Sequence, residues 1–104
     1  MRMLLKVHMD TAAANAVARK GKLGQTIASI LEDIKPECAY FGAEHGKRTG
    51  FIVVNLDGPH QIPAICEPFF LAFGAGIDMI PVMTPDDLGK AAPAIKRAAK
   101  KYGR

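Results

Sequence analysis

The sequence predicts an α+β domain built on one four-stranded antiparallel sheet, and three observations carry that prediction. The apolar pattern changes period along the chain in the order strand, helix, strand, strand, helix, strand, helix. The middle of the chain, CAYFGAEHGKRTGFIVVNL, reads as two strand-like runs joined by a short turn. The last helix is announced by Thr84-Pro85-Asp86-Asp87, which offers a capping hydroxyl, a proline suited to the first helical position, and acids in the first turn.

Residues 2 to 9 form the first expected strand. Lys6 and His8 share one face of it and Leu5 and Val7 the other, because side chains alternate along a strand. Asp10 or Thr11 then caps a helix by accepting a free first-turn amide. From Ala13 the apolar positions Ala16, Val17, Ile27, Ile30, Leu31 and Ile34 follow a three-and-four spacing. Gly21 and Gly24 interrupt it, which predicts a kink or two consecutive helices, and Pro36 ends it.

His45-Gly46 fits a tight hairpin turn. A two-residue loop there pairs Glu44 with Lys47, Gly42 with Thr49, Tyr40 with Phe51 and Cys38 with Val53 on one face. Phe41, Ile52 and Val54 fall on the other, so both faces of the pair are apolar. After Asp57-Gly58-Pro59, HQIPAICEPFFLAF carries Ile62, Ile65, Cys66, Phe69, Phe70 and Phe73 at helical spacing. Pro63 suits its first turn, whereas Pro68 removes a backbone hydrogen bond and predicts a bend. GIDMIPVM is the fourth strand, and Pro81 assigns it to a sheet edge. Leu88, Ala91, Ala92, Ile95, Ala99 and Tyr102 give the C-terminal segment an apolar stripe that Pro93 divides.

The 104 residues, 49% apolar and 23% charged, are expected to form one domain spanning 1–104. Lys6 and His8 break the N-terminal apolar run before it reaches the length of a signal-peptide core. No run approaches the roughly 20 apolar residues of a membrane span, so a cytoplasmic protein without a membrane partner is the expectation. Cys38 and Cys66 form no CxxC pair and no His cluster accompanies them, so neither a metal site nor a cofactor motif is written here. The net charge is +4, yet six of fourteen basic residues lie in positions 90–104, and the remainder carries eight basic against ten acidic residues. Basicity is therefore a property of the tail, where cations suit a helix C-terminus, and nucleic acid is an unlikely partner.

The element order is that of the split βαβ, or ferredoxin-like, unit with an added C-terminal helix. Helices cover only one face of such a sheet, and the pair CAYFGAE and GFIVVNL has no polar face for water. Each large side chain left exposed forgoes roughly 1.5–3 kcal/mol. In KPECAYFGAEHGKRTGFIVVNLDGPHQIPAICEPFF and DMIPVMTPDDL the chain resembles small members of the dimeric α/β barrel superfamily. That resemblance implies a homodimer through sheet faces with a cavity able to hold a small organic ligand. It carries over no catalytic motif.

In the ferredoxin-like order the first strand lies beside the last. A register pairing Leu4 with Val82 sets Lys6 against Ile80 and His8 against Asp78 on one face. A carboxylate beside an imidazole suits general acid or base chemistry, so His8 and Asp78 are the candidate catalytic pair. Lys6 is the candidate contact for an anionic oxygen, and Tyr40 and Phe51 are candidate ligand contacts on the same face. Glu67, beside the bend at Pro68, is a fourth ligand candidate, while Glu44 and His45 are expected to be solvated turn residues. The sequence names no reaction. It leaves open a dimer that binds a small partly apolar molecule, with or without transforming it and with no cofactor, then a structural or regulatory interaction module, and last nucleic-acid binding through the basic tail.

Overall fold

Alternation along the first strand divides the molecule into a helix-covered side and a bare side. A computed structural model describes residues 1–104. β1 (Arg2–His8) buries Met3, Leu5 and Val7 to 6% exposure or less, while Leu4, Lys6 and His8 point the opposite way and are half-buried. Asp10 caps α1 (Thr11–Arg19), its carboxylate accepting from the Ala13 amide at 2.9 Å. The glycine-punctuated stretch resolves into two helices: Gly21 adopts φ +70°, and α2 (Leu23–Ile34) follows.

β2 (Cys38–Glu44) and β3 (Lys47–Asn55) form the expected hairpin, with every pair from Cys38↔Val53 to Glu44↔Lys47 in the register that the sequence predicts. His45 and Gly46 both have positive φ, 56° and 74°, as the tight turn compatible with strand twist requires. A 3-10 turn (Pro59–Gln61) runs into α3 (Ile62–Phe73), which has Pro63 in its first turn and Pro68 within the helix. β4 (Gly76–Pro81) ends two residues before the predicted strand, and its proline lies on an edge.

The sheet order is β2-β3-β1-β4, and all neighbours are antiparallel. This α+β arrangement, an open sheet, is compatible with the ferredoxin-like order. One core lies between the helix-facing side of the sheet and the helices, centred on Leu5, Val7, Ile52, Phe69 and Phe73, each wholly buried. No helix is long and apolar enough to cross a membrane.

The pairing of β1 with β4 corrects the sequence-derived register. Leu4 faces Ile80, Lys6 faces Asp78 and His8 faces Gly76, a slide of two residues from the predicted alignment. Val82 has left the ladder, its amide donating to Arg2 O at 3.2 Å beyond the strand end. Burial demands that Ile77 and Met79 face the core with Val7 and Leu5, and a two-residue slide preserves that demand. Asp78 therefore keeps its predicted face but changes its neighbour.

α4 (Pro85–Lys90) and α5 (Ala92–Tyr102) continue beyond β4, and α4 opens with the predicted capping box of Thr84 and Asp87. Every residue of both helices is exposed, including Leu88, Ile95 and Tyr102 at 49%, 54% and 74%. The molecule measures 59 × 28 × 20 Å with a radius of gyration of 17.4 Å, against about 13 Å for a compact chain of this length. The C-terminal helices are an arm rather than part of the packed layer.

Phe69→Ala is expected to lower unfolding free energy by about 3–5 kcal/mol in urea denaturation, because a wholly buried ring leaves a cavity against the sheet. His45→Asn is expected to raise it by up to about 1 kcal/mol in the same assay, since asparagine tolerates the left-handed turn position better.

Candidate functional site

The bare side of the sheet presents its side chains in cross-strand rows. One row reads Asp78, Lys6, Phe51, Tyr40; the next toward the hairpin reads Gly76, His8, Thr49, Gly42; on the other side lie Ile80, Leu4, Val53, Cys38. Tyr40 is 70% exposed and Ile80 40%, whereas Phe51, Leu4 and Val53 are half-buried. The face thus combines an apolar middle, Leu4, Phe51, Val53, Tyr40 and Ile80, with a polar cluster at the hairpin end, Asp78 at the β4 edge, and Arg2 and Asn55 at the far end.

Glu44 is the centre of that cluster. Its side chain extends from the hairpin end of β2 across β3 to β1, where Oε1 lies 2.8 Å from His8 Nε2 and Oε2 lies 3.2 Å from Lys6 Nζ. The residues along its path explain the reach: Gly42 has no side chain, and Thr49 is short, buried, and turned to donate to Lys47 O at 3.0 Å. The His45 ring completes the cluster, its centroid 6.0 Å from that of His8.

The hydrogen bond to His8, followed by that to Lys6, holds the Glu44 carboxyl below its ordinary range despite partial desolvation. An ionised carboxylate only accepts hydrogen bonds, so Nε2 of His8 carries a proton and donates it. A neutral imidazole in that tautomer leaves Nδ1 bare, and His8 Nδ1 has no hydrogen-bond partner within the protein. The geometry is that of a carboxylate orienting an imidazole, an arrangement able to accept a proton at the free nitrogen.

Of the residues that the sequence singles out, His8, Lys6, Asp78, Tyr40 and Phe51 share this face. Asp78 stands beside Lys6 and not directly opposite His8, so the imidazole takes its carboxylate from Glu44. Glu67 is exposed on α3, in the helix layer on the other side of the sheet, and does not join them. Glu44 is the residue that sequence reasoning assigned to solvent. The hairpin register placed it on the face of Tyr40 and Phe51, but that this face is shared with Lys6 and His8 follows from the β1–β3 pairing, and its reach across an intervening strand depends on what stands between. No group of three or more His, Cys, Asp or Glu side chains is arranged to hold a metal ion.

Because its carboxyl is depressed in the folded state, Glu44 contributes stability that is present above the ordinary carboxylate value of 4.5 and lost as pH falls through the depressed value. Urea midpoints measured across the acid range are expected to show wild type more stable than Glu44→Gln near neutrality, the gap closing on acidification. A pH-independent gap would mean that the ionised carboxylate is not the stabilising form. No protein-family model matches the chain, and no curated protein matches its sequence, so the chemistry of this face is read from its own side chains.

Proposed function

We propose that the bare sheet face is one wall of a chamber completed by a second copy of the chain, and that this chamber binds a small, partly apolar organic molecule. The observation that carries the reading is a hydrogen-bonded Lys6–Glu44–His8 cluster beside the apolar stretch of Leu4, Phe51, Val53, Tyr40 and Ile80 on a sheet face with no helix packed on it. Ligand sites combine such apolar walls with a few placed polar groups. Tyr40 and Phe51 supply the wall, and Lys6 and Asp78 flank the polar end of the ligand. His8 Nδ1 is the base for any proton transfer, with Glu44 holding its tautomer.

Two features support a second copy as the cover. The face leaves Tyr40 and Ile80 in water, and the same chain extends an amphipathic arm whose stripe of Ala92, Ile95, Ala99 and Tyr102 is exposed. A sheet-to-sheet dimer removes the first exposure and brings a partner within reach of the second. This is the dimeric α/β barrel that the element order suggests. Both cysteines are free thiols, in keeping with a cytoplasmic protein.

A second reading, a structural or regulatory interaction module, is favoured by one specific observation. Glu44 engages both Lys6 and His8, so the cluster already satisfies itself without a ligand.

Native mass spectrometry of gently purified protein is expected to show a dimer carrying a small organic mass. An empty dimer whose stability is indifferent to His8→Ala favours the interaction module, and a monomer at micromolar concentration overturns the chamber. Tyr40→Asp and Ile80→Lys, each placing a charge on the apolar face, are expected to weaken the dimer at least tenfold, about 1.4 kcal/mol, by analytical ultracentrifugation.

A further inference from the structure

On the helix-covered side, at the hairpin end of the sheet, the first turn of α2 does not close onto β2. A cleft of about 310 Å³ remains between them, walled by Met9, Leu23, Ile27 and Phe41. Phe41 is 48% exposed, although it shares its side of the sheet with the wholly buried Ile52. Its ring lies over Gly50, and the other half of it is an apolar surface left open within the fold's own layer.

One charged side chain lines this cleft. Arg48 is half-buried, and Nη1 donates to the neutral amide oxygen of Asn15 at 2.9 Å. No carboxylate lies within ion-pair distance of it, whereas Arg2 reaches Glu37 at 3.0 Å and Lys6 reaches Glu44 at 3.2 Å. A guanidinium has five N–H donors arranged to grip a carboxylate with two parallel bonds. α2 also begins at the cleft with no side-chain cap on its first-turn amides, which adds positive potential at the same end.

We propose that this cleft is a binding site for a small monocarboxylate with an aliphatic or aromatic tail, its carboxylate on Arg48 and its tail against Phe41, Leu23, Ile27 and Met9. A tail explains the apolar walls, and a single negative charge matches the one charged side chain that lines the cleft. The site takes its apolar walls and its cation from the helix-covered side of the sheet, touches the Lys6–Glu44–His8 face only through Gly42 and Thr49, and does not rest on the function proposed for that face.

The test titrates straight-chain carboxylates from acetate to hexanoate, with hexan-1-ol as the uncharged control, into ¹⁵N-labelled protein followed by amide chemical shifts. Hexanoate is expected to saturate shifts at Leu23, Phe41 and Arg48. Affinity is expected to rise about fourfold per added methylene while the tail remains in the cleft. Arg48→Met, which keeps the aliphatic stem and removes the charge, is expected to weaken hexanoate at least tenfold and leave hexan-1-ol unchanged. Leu23→Trp, which fills the cleft and retains Arg48, is expected to abolish binding and decides the matter if Arg48→Met does not fold. Absence of saturable shifts, a flat chain-length series, shifts confined to the Lys6 and His8 face, or undiminished binding by Arg48→Met or Leu23→Trp would overturn the proposal.

Discussion

Everything in this molecule hangs on the strict alternation of β1, a central strand flanked by β3 and β4. Met3, Leu5 and Val7 must lie against the helices because the hydrophobic effect leaves them nowhere else. The same geometry then obliges Leu4, Lys6 and His8 to point away. α1, α2 and α3 cover the first side, and neither they nor the C-terminal arm lies across the second. The bare face is not an accident of loop placement; it follows from laying all three packed helices on one side of a four-stranded sheet.

The hairpin is the second organising element because it serves both sides of the sheet at once. Along β2, Tyr40 and Glu44 go to the bare face while Phe41 goes to the helix side; along β3, Thr49 goes one way and Arg48 the other. Adjacent residues thus contribute to two environments of different chemistry. On the bare side a carboxylate is saturated by two donors. On the helix side a guanidinium has only a neutral amide for company. The contrast is electrostatic: a charge with an opposite partner is neutralised within the fold, and one without keeps its demand for a counter-charge.

The arm has a different logic. Its capping box and its spacing of apolar residues make α4 and α5 locally sound helices, yet local soundness does not supply a surface to pack on. An exposed stripe of this kind and an uncovered sheet face within one chain are complementary problems. The proposed second copy would cover both with no further component.

Much of this was legible in the residues themselves. Period-two alternation put Lys6 with His8 on one face of the first strand and, with the hairpin turn, Tyr40 with Phe51 on one face of the strand pair; the ladders of the folded sheet joined these and Asp78 on a common face. The two-residue turn at His45-Gly46 left only one register for β2 and β3, Thr84 and Pro93 marked helix starts, and Asp10-Thr11 and Gly21-Gly24 bounded the places where the structure then chose Asp10 as cap and a break at Gly21. The alternation, the turn and the helix signals are short-range consequences of covalent geometry and backbone sterics, so the sequence by itself determined them. The slide of β4 along β1 was not legible, because a helix separates β4 from the rest of the sheet and alternation is indifferent to a shift of two. Nor was Glu44 readable as the partner of His8 and Lys6, since that contact depends on Gly42 and Thr49 leaving room across a third strand. Arg48 without a carboxylate is likewise visible only when every acid has been placed in space. Which face a side chain occupies is a local matter; which charge it meets there was decided by the tertiary structure, because side-chain contacts across strands depend on positions that the local pattern leaves free.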